Sequence, residues 1–152
     1  VIIRKYRCLL VVACLLGSIV GCSGNSPFDY VPVSGKLTFE DDTLVPAAGI
    51  VLQFVAQNPP QVQGVYPRPA SATLNAQGEF DCATSYKYGD GLIPGKHKVA
   101  IFYAVDAQGN PLVPKPYTHA STTPLVVDTA NLPLHIKVPR ATGGKGRKRS
   151  GK

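Results

Sequence analysis

The side chains able to do chemistry in this chain are few, and their spacing keeps them apart. His97, His119 and His135 are separated by 22 and 16 residues. A protein zinc site usually begins from a ligand pair a few residues apart, and none of the three has such a neighbour. Ser34, Ser71, Ser85 and Ser121 have no adjacent base that would mark a nucleophile. The expectation is therefore no catalytic residue, no metal and no cofactor. Glu40, Asp41 and Asp42 supply the oxygens that calcium requires, yet three acids in one hairpin fit a solvated turn better. Tyr86, Tyr88 and Asp90, interleaved with Gly89 and Gly91, form an aromatic loop suited to stacking on a sugar or peptide. These three are candidate ligand contacts. Arg140, Lys145, Arg147, Lys148, Arg149 and Lys152 make a basic tail.

The N-terminal residues carry a different chemistry. Arg4, Lys5 and Arg7 precede an uncharged run from Leu9 to Val20, and Ser23 to Pro27 is short and polar. That order is a secretory signal. The run is short against the roughly 20 residues of a bilayer span, so cleavage is expected over an uncleaved anchor. Ile19-Val20-Gly21-Cys22 resembles the lipobox of bacterial lipoproteins. The resemblance implies cleavage between Gly21 and Cys22, and lipid on Cys22. A single acyl chain binds membranes only reversibly; lipoproteins of this kind carry more than one, so the attachment should be long-lived. Ser23 resembles the enterobacterial outer-membrane sorting choice, facing the periplasm or the surface. The chain opens on Val1 and contains no Met, as a valine-coded start or a missing N-terminus would each produce.

With residues 1–21 removed as signal, the remainder is long enough for one domain with a single core. Cys8 and Cys14 leave with the signal, and Cys22 is assigned to lipid. Cys82 then has no disulfide partner and reads as a small buried hydrophobe. The formal charge of +7 is uneven. The signal holds three basic residues and the tail six, so the middle has seven against all nine acidic residues. Export argues against nucleic acid as the tail's partner. An anionic lipid or envelope polymer fits better, each Lys or Arg near such a surface contributing about 1 kcal/mol.

The elements that must position these groups follow a period of two. Val31, Val33, Leu37 and Phe39 alternate with polar neighbours, as do Ala70, Ala72 and Leu74, and Leu134, Ile136 and Val138. Ile50, Leu52 and Phe54 share one face, as do Val99, Ile101 and Tyr103. His97 falls on the Val99 face, and His135 points outward. Such alternation marks half-buried strands. Fourteen Pro and fifteen Gly interrupt the chain too often for helices. Turn residues at Glu40–Thr43, Asn75–Gly78 and Ala107–Pro111 separate the runs. The expected fold is all-β: an antiparallel, immunoglobulin-like β-sandwich of about seven strands. Residues 30–139 form the sandwich, 22–29 the lipid anchor and linker, and 140–152 a disordered tail.

Several motifs, in order, resemble the carboxypeptidase regulatory-like domains of the prealbumin-like (transthyretin-like) sandwich group, common in small bacterial lipoproteins. Val33 to Phe39 resembles the opening V-x-G-x-V-x-F strand, and Pro46 to Leu52 resembles P-x-x-G-x-x-V. Gln77-Gly78-Glu79-Phe80 matches the x-G-x-F hairpin. Leu92 to Val99 matches P-G-x-Y-x-V with His97 in place of the tyrosine, and Tyr117 to Val126 resembles a later segment. The resemblance covers about Val31 to Val138 and implies a non-catalytic domain. The Tyr-Arg-Gly-Ser ending of transthyretin-like hydrolases and the His-x-His pair of intradiol dioxygenases are both absent from the sequence. The expected function is a membrane-tethered structural or adhesive lipoprotein of the cell envelope. The alternative is a carbohydrate- or peptide-binding module acting through Tyr86 and Tyr88.

Overall fold

The computed structural model describes residues 26–46 and 49–142. The signal segment with Gly21 and Cys22, and the tail residues Lys145, Arg147, Lys148, Arg149 and Lys152, lie outside the described residues. Seven strands run in the order β1 (Gly35–Phe39), β2 (Val51–Ala56), β3 (Ala70–Thr73), β4 (Glu79–Phe80), β5 (Lys96–Phe102), β6 (Val126–Asp128) and β7 (Leu134–Val138). One 3-10 turn, Lys115–Thr118, interrupts the long β5–β6 connection and packs on β5. The fold is all-β, with a three-stranded sheet ordered β4-β1-β7 and a four-stranded sheet ordered β3-β2-β5-β6.

The alternation in sequence becomes the alternation in burial. Leu52 and Phe54 are buried while Val51, Gln53 and Val55 between and beside them are partly exposed. Ala70 and Ala72 face inward with Ser71 and Thr73 outward, and β7 repeats the pattern at Leu134, Ile136 and Val138. Both sheets contribute to one apolar cluster. Across it, the Phe54 ring of β2 meets the Phe80 ring of β4 with centroids 5.9 Å apart and planes tilted by 50°. Burying each such side chain contributes about 1.5–3 kcal/mol, which makes this shared layer the main source of stability.

Two local features depart from the expected pattern. Tyr103, expected to face inward beside Ile101, is 71% exposed. The strand ends at Phe102 and Tyr103 takes a φ of 62°, a left-handed conformation that turns its side chain out of the sheet. The second departure is a pairing. The sandwich is otherwise antiparallel, but β1 and β7 run parallel in register from Gly35↔Leu134 to Phe39↔Val138. A parallel pair requires a crossover, and here nearly the whole domain forms it. Gly35 permits the close approach: a Cβ there would lie 2.9 Å from both Leu134 Cβ and Phe80 Cε1 and would strike the Leu134 carbonyl oxygen. A glycine inside a strand suits a bulge or such a close approach of another strand, and here it serves the approach.

Parallel pairing fixes where the chain enters and leaves. The segment before Gly35 and the segment after Val138 lie at opposite ends of the same two strands. The ends of β5 say the same. Val31 pairs with Leu92, just before β5 starts, whereas Ala141 donates to the Leu112 carbonyl, and Leu112 to that of Ala104, just after β5 ends. Five residues of β1 separate the two exits, about 17 Å of extended chain.

Candidate functional site

The loops at the entry end are β2–β3, β4–β5 and β6–β7. The β4–β5 loop holds the candidate ligand contacts, and its conformation is built around one carboxylate. Asp90 accepts from the Ser85 amide through Oδ1 at 2.7 Å and from the Tyr86 and Lys87 amides through Oδ2 at 2.8 Å each. Partial burial alone would raise the Asp90 pKa; the backbone donors of Lys87, Ser85, Tyr86 and Gly91 outweigh it and hold the carboxyl below its ordinary range. Gly89 donates to Thr84 Oγ1 at 3.0 Å and closes the other side. Asp90 is thus the internal clamp of the loop, with its oxygens directed at its own backbone rather than outward to a ligand.

The clamp leaves two tyrosines outside. Tyr88 is 91% exposed and Tyr86 is 48% exposed. The Arg68 guanidinium carbon lies 5.6 Å from the Tyr86 ring centroid, a cation–π contact. Ser85 Oγ donates to the Arg68 carbonyl at 2.9 Å, tying the β4–β5 loop to the β2–β3 loop. That second loop adds exposed Val65 and Tyr66, and the β6–β7 loop adds exposed Leu132. The stretch Tyr66-Pro67-Arg68-Pro69 reads from its two prolines as part of a loop, with no sign of a contact to Tyr86. Its tyrosine and arginine next to a strand start were the available signal.

The loop is also locked to the entering chain. Val31 donates to Leu92 at 2.7 Å and accepts from it at 3.0 Å. Gly91, at φ 100°, lets the backbone of Val31 and Pro32 lie against it; a Cβ there would stand 2.6 Å from the Val31 carbonyl carbon.

The histidines do not converge. His97 is buried as expected on the Val99 face, with Nδ1 3.1 Å from the Gly95 carbonyl. Burial lowers its pKa, against smaller opposing effects of that hydrogen bond and of the Asp128 charge. His119 is exposed beside the Thr118 hydroxyl at 2.8 Å. His135 faces outward on β7, opposite Lys36 of β1, and lines a surface cleft of about 300 Å³ with Ser34, Glu79 and Asp81. Lys36 is paired there with Glu79 at 3.5 Å. Among the described residues, no group of three His, Cys, Asp or Glu is placed to hold a metal. Cys82 is a free thiol, partly rather than fully buried.

Two of the three acids of the turn are paired with cations of the chain itself. Asp42 pairs with Lys137 at 2.7 Å and Asp41 with Arg140 at 3.0 Å. Arg140, read from the sequence as the first residue of a disordered tail, is therefore part of the fold: its side chain stacks on Phe39, and the next residue hydrogen-bonds to Leu112.

No family model, curated protein or solved structure matches this chain.

Proposed function

We propose that this chain is a non-enzymatic cell-envelope lipoprotein whose sandwich acts as a spacer. Cys22 holds it to a membrane, and the tail residues Lys145, Arg147, Lys148, Arg149 and Lys152 meet an anionic envelope polymer or lipid. The observation that carries the reading is the parallel pairing of β1 with β7, which sends the two ends out of opposite poles of the domain. A spacer requires that arrangement. Had β7 run antiparallel to β1, both ends would leave together and face the same surface. The motif order that resembles carboxypeptidase regulatory-like domains supports the same non-catalytic role.

Two variants test it by fractionation of the envelope. Cys22→Ser should move the protein from the membrane to the soluble fraction. Replacing the five tail cations with Ser should leave it membrane-bound but abolish its co-sedimentation with detergent-insoluble envelope polymer. Membrane retention of the Cys22→Ser protein overturns the anchor, and unchanged co-sedimentation of the tail variant overturns the bridging role.

A further inference from the structure

The pole of the sandwich where the chain enters exposes more large apolar side chains than the pole where it leaves. Val65, Tyr66, Tyr86, Tyr88 and Leu132 all belong to the three loops there. The opposite pole has Leu44, Tyr103 and Val105. Tyr88 is the most exposed of them all, at 91%, on a loop that the Asp90 clamp holds in one conformation. Ordering an exposed aromatic costs conformational freedom, and among the described residues nothing covers Tyr88 in return.

We infer that this pole lies on the bilayer that holds the tether, with Tyr88 and Tyr86 inserted at the level of the lipid headgroups. The inference rests on lipidation of Cys22. Eight residues lie between Cys22 and Val31, a reach of at most about 30 Å when fully extended, and Val31 is bonded to the base of the tyrosine loop through Leu92. The tether therefore joins the domain at this pole, and the other pole lies a strand's length farther from the anchor. Tyrosine is favoured at that surface because its ring enters the apolar boundary while its hydroxyl stays wet. Lys87 and Arg68 flank the rings with long stems and charged heads suited to anionic headgroups. A sugar ligand would need walls around it, because binding pockets enclose most of a small ligand. Tyr88 stands clear of the surface, which suits a broad, deformable partner.

The absence of Trp from the chain gives a clean probe. Full-length lipidated protein carrying Tyr88→Trp, and separately Tyr103→Trp, is reconstituted into phosphatidylethanolamine–phosphatidylglycerol vesicles containing a nitroxide-labelled lipid. Flotation with the vesicles reports the tether; quenching reports the pole. Quenching at Tyr88→Trp should exceed that at Tyr103→Trp several-fold, with a blue-shifted emission at the former alone. Both positions are exposed, and equal unfolding midpoints for the two variants establish that the fold is kept. Floating protein with equal quenching at both positions overturns the inference and leaves the tether standing. Failure to float overturns the tether and the inference with it. A Tyr88→Trp emission change produced by soluble envelope glycan without vesicles assigns the loop to a glycan and also overturns it.

Discussion

The guanidinium carbon of Arg140 stands 3.9 Å from the centroid of the Phe39 ring, while Nη2 donates to Asp41 Oδ2 at 3.0 Å. The chain is thereby fastened to the far pole of the sandwich just before the tail begins. The Asp41 carboxyl is lowered to about 2, first by the Thr43 hydroxyl and then by Arg140. Arg140→Ala should cost about 0.5–1 kcal/mol through the lost cation–π contact, read from chemical denaturation. It should also return the Asp41 pKa towards its ordinary 3.8, read by NMR titration. A depressed carboxylate stabilises the fold above its unfolded pKa, and that stabilisation fades as pH falls through the folded value. The acid limb of the stability curve should therefore flatten in the variant.

Gly35 and Leu134 are in contact because a hydrogen occupies the place of a side chain. Gly35→Ala puts a methyl group 2.9 Å from Leu134 Cβ and against the Leu134 carbonyl oxygen. Neither backbone can retreat without breaking the β1–β7 register. The expected loss is about 1–3 kcal/mol, the usual range for overpacking, with the amides of β1 and β7 losing hydrogen-exchange protection first. Unchanged stability would mean that the two strands are not so tightly apposed.

Much of the fold was legible because period-two alternation is a local property. The inward set of Leu52, Phe54, Ala70, Ala72, Val99, Ile101, Leu134 and Ile136 needs only neighbours in sequence to be read, and all are buried. The direction of β7 relative to β1 was not legible, because Gly35 and Leu134 are brought together by chain that carries no register signal of its own. The side-chain loops failed similarly. Asp90 reads as a ligand contact until the amides of Ser85, Tyr86 and Lys87 are seen converging on it. Arg140 reads as tail until Phe39 and Asp41 are seen beneath it.

His97 makes stability depend on pH near neutrality. Its folded pKa is lowered, chiefly by burial, from an ordinary 6.5. The unfolded chain therefore binds a proton more readily than the folded one, and stability rises with pH across that interval. Full stability is expected above about 6.5, falling as pH drops below it towards the folded value. His97→Leu removes the proton and keeps the apolar contacts on the Val99 face. Urea midpoints taken across the range should slope less in the variant, and an unchanged slope would show that His97 is not its source.

The Asp90 clamp predicts a loop that can be loosened without unfolding the domain. Asp90→Asn keeps the shape but replaces two charged acceptor oxygens with one neutral oxygen and one amide, which donates. Of the three amides gathered from Ser85, Tyr86 and Lys87, the two sharing Oδ2 or the one on Oδ1 must lose its partner. Hydrogen bonds to a charged group contribute more than neutral ones, yet this carboxylate is only partly buried, so the global cost should be only about 1 kcal/mol. The local effect should be larger. Hydrogen exchange at Ser85, Tyr86 and Lys87 should quicken while the amides of β2 and β5 stay protected. In the vesicle experiment the same substitution should spread the quenching of Tyr88→Trp over a wider range of depths, because the ring would no longer be held at one height above the Val31–Leu92 pair.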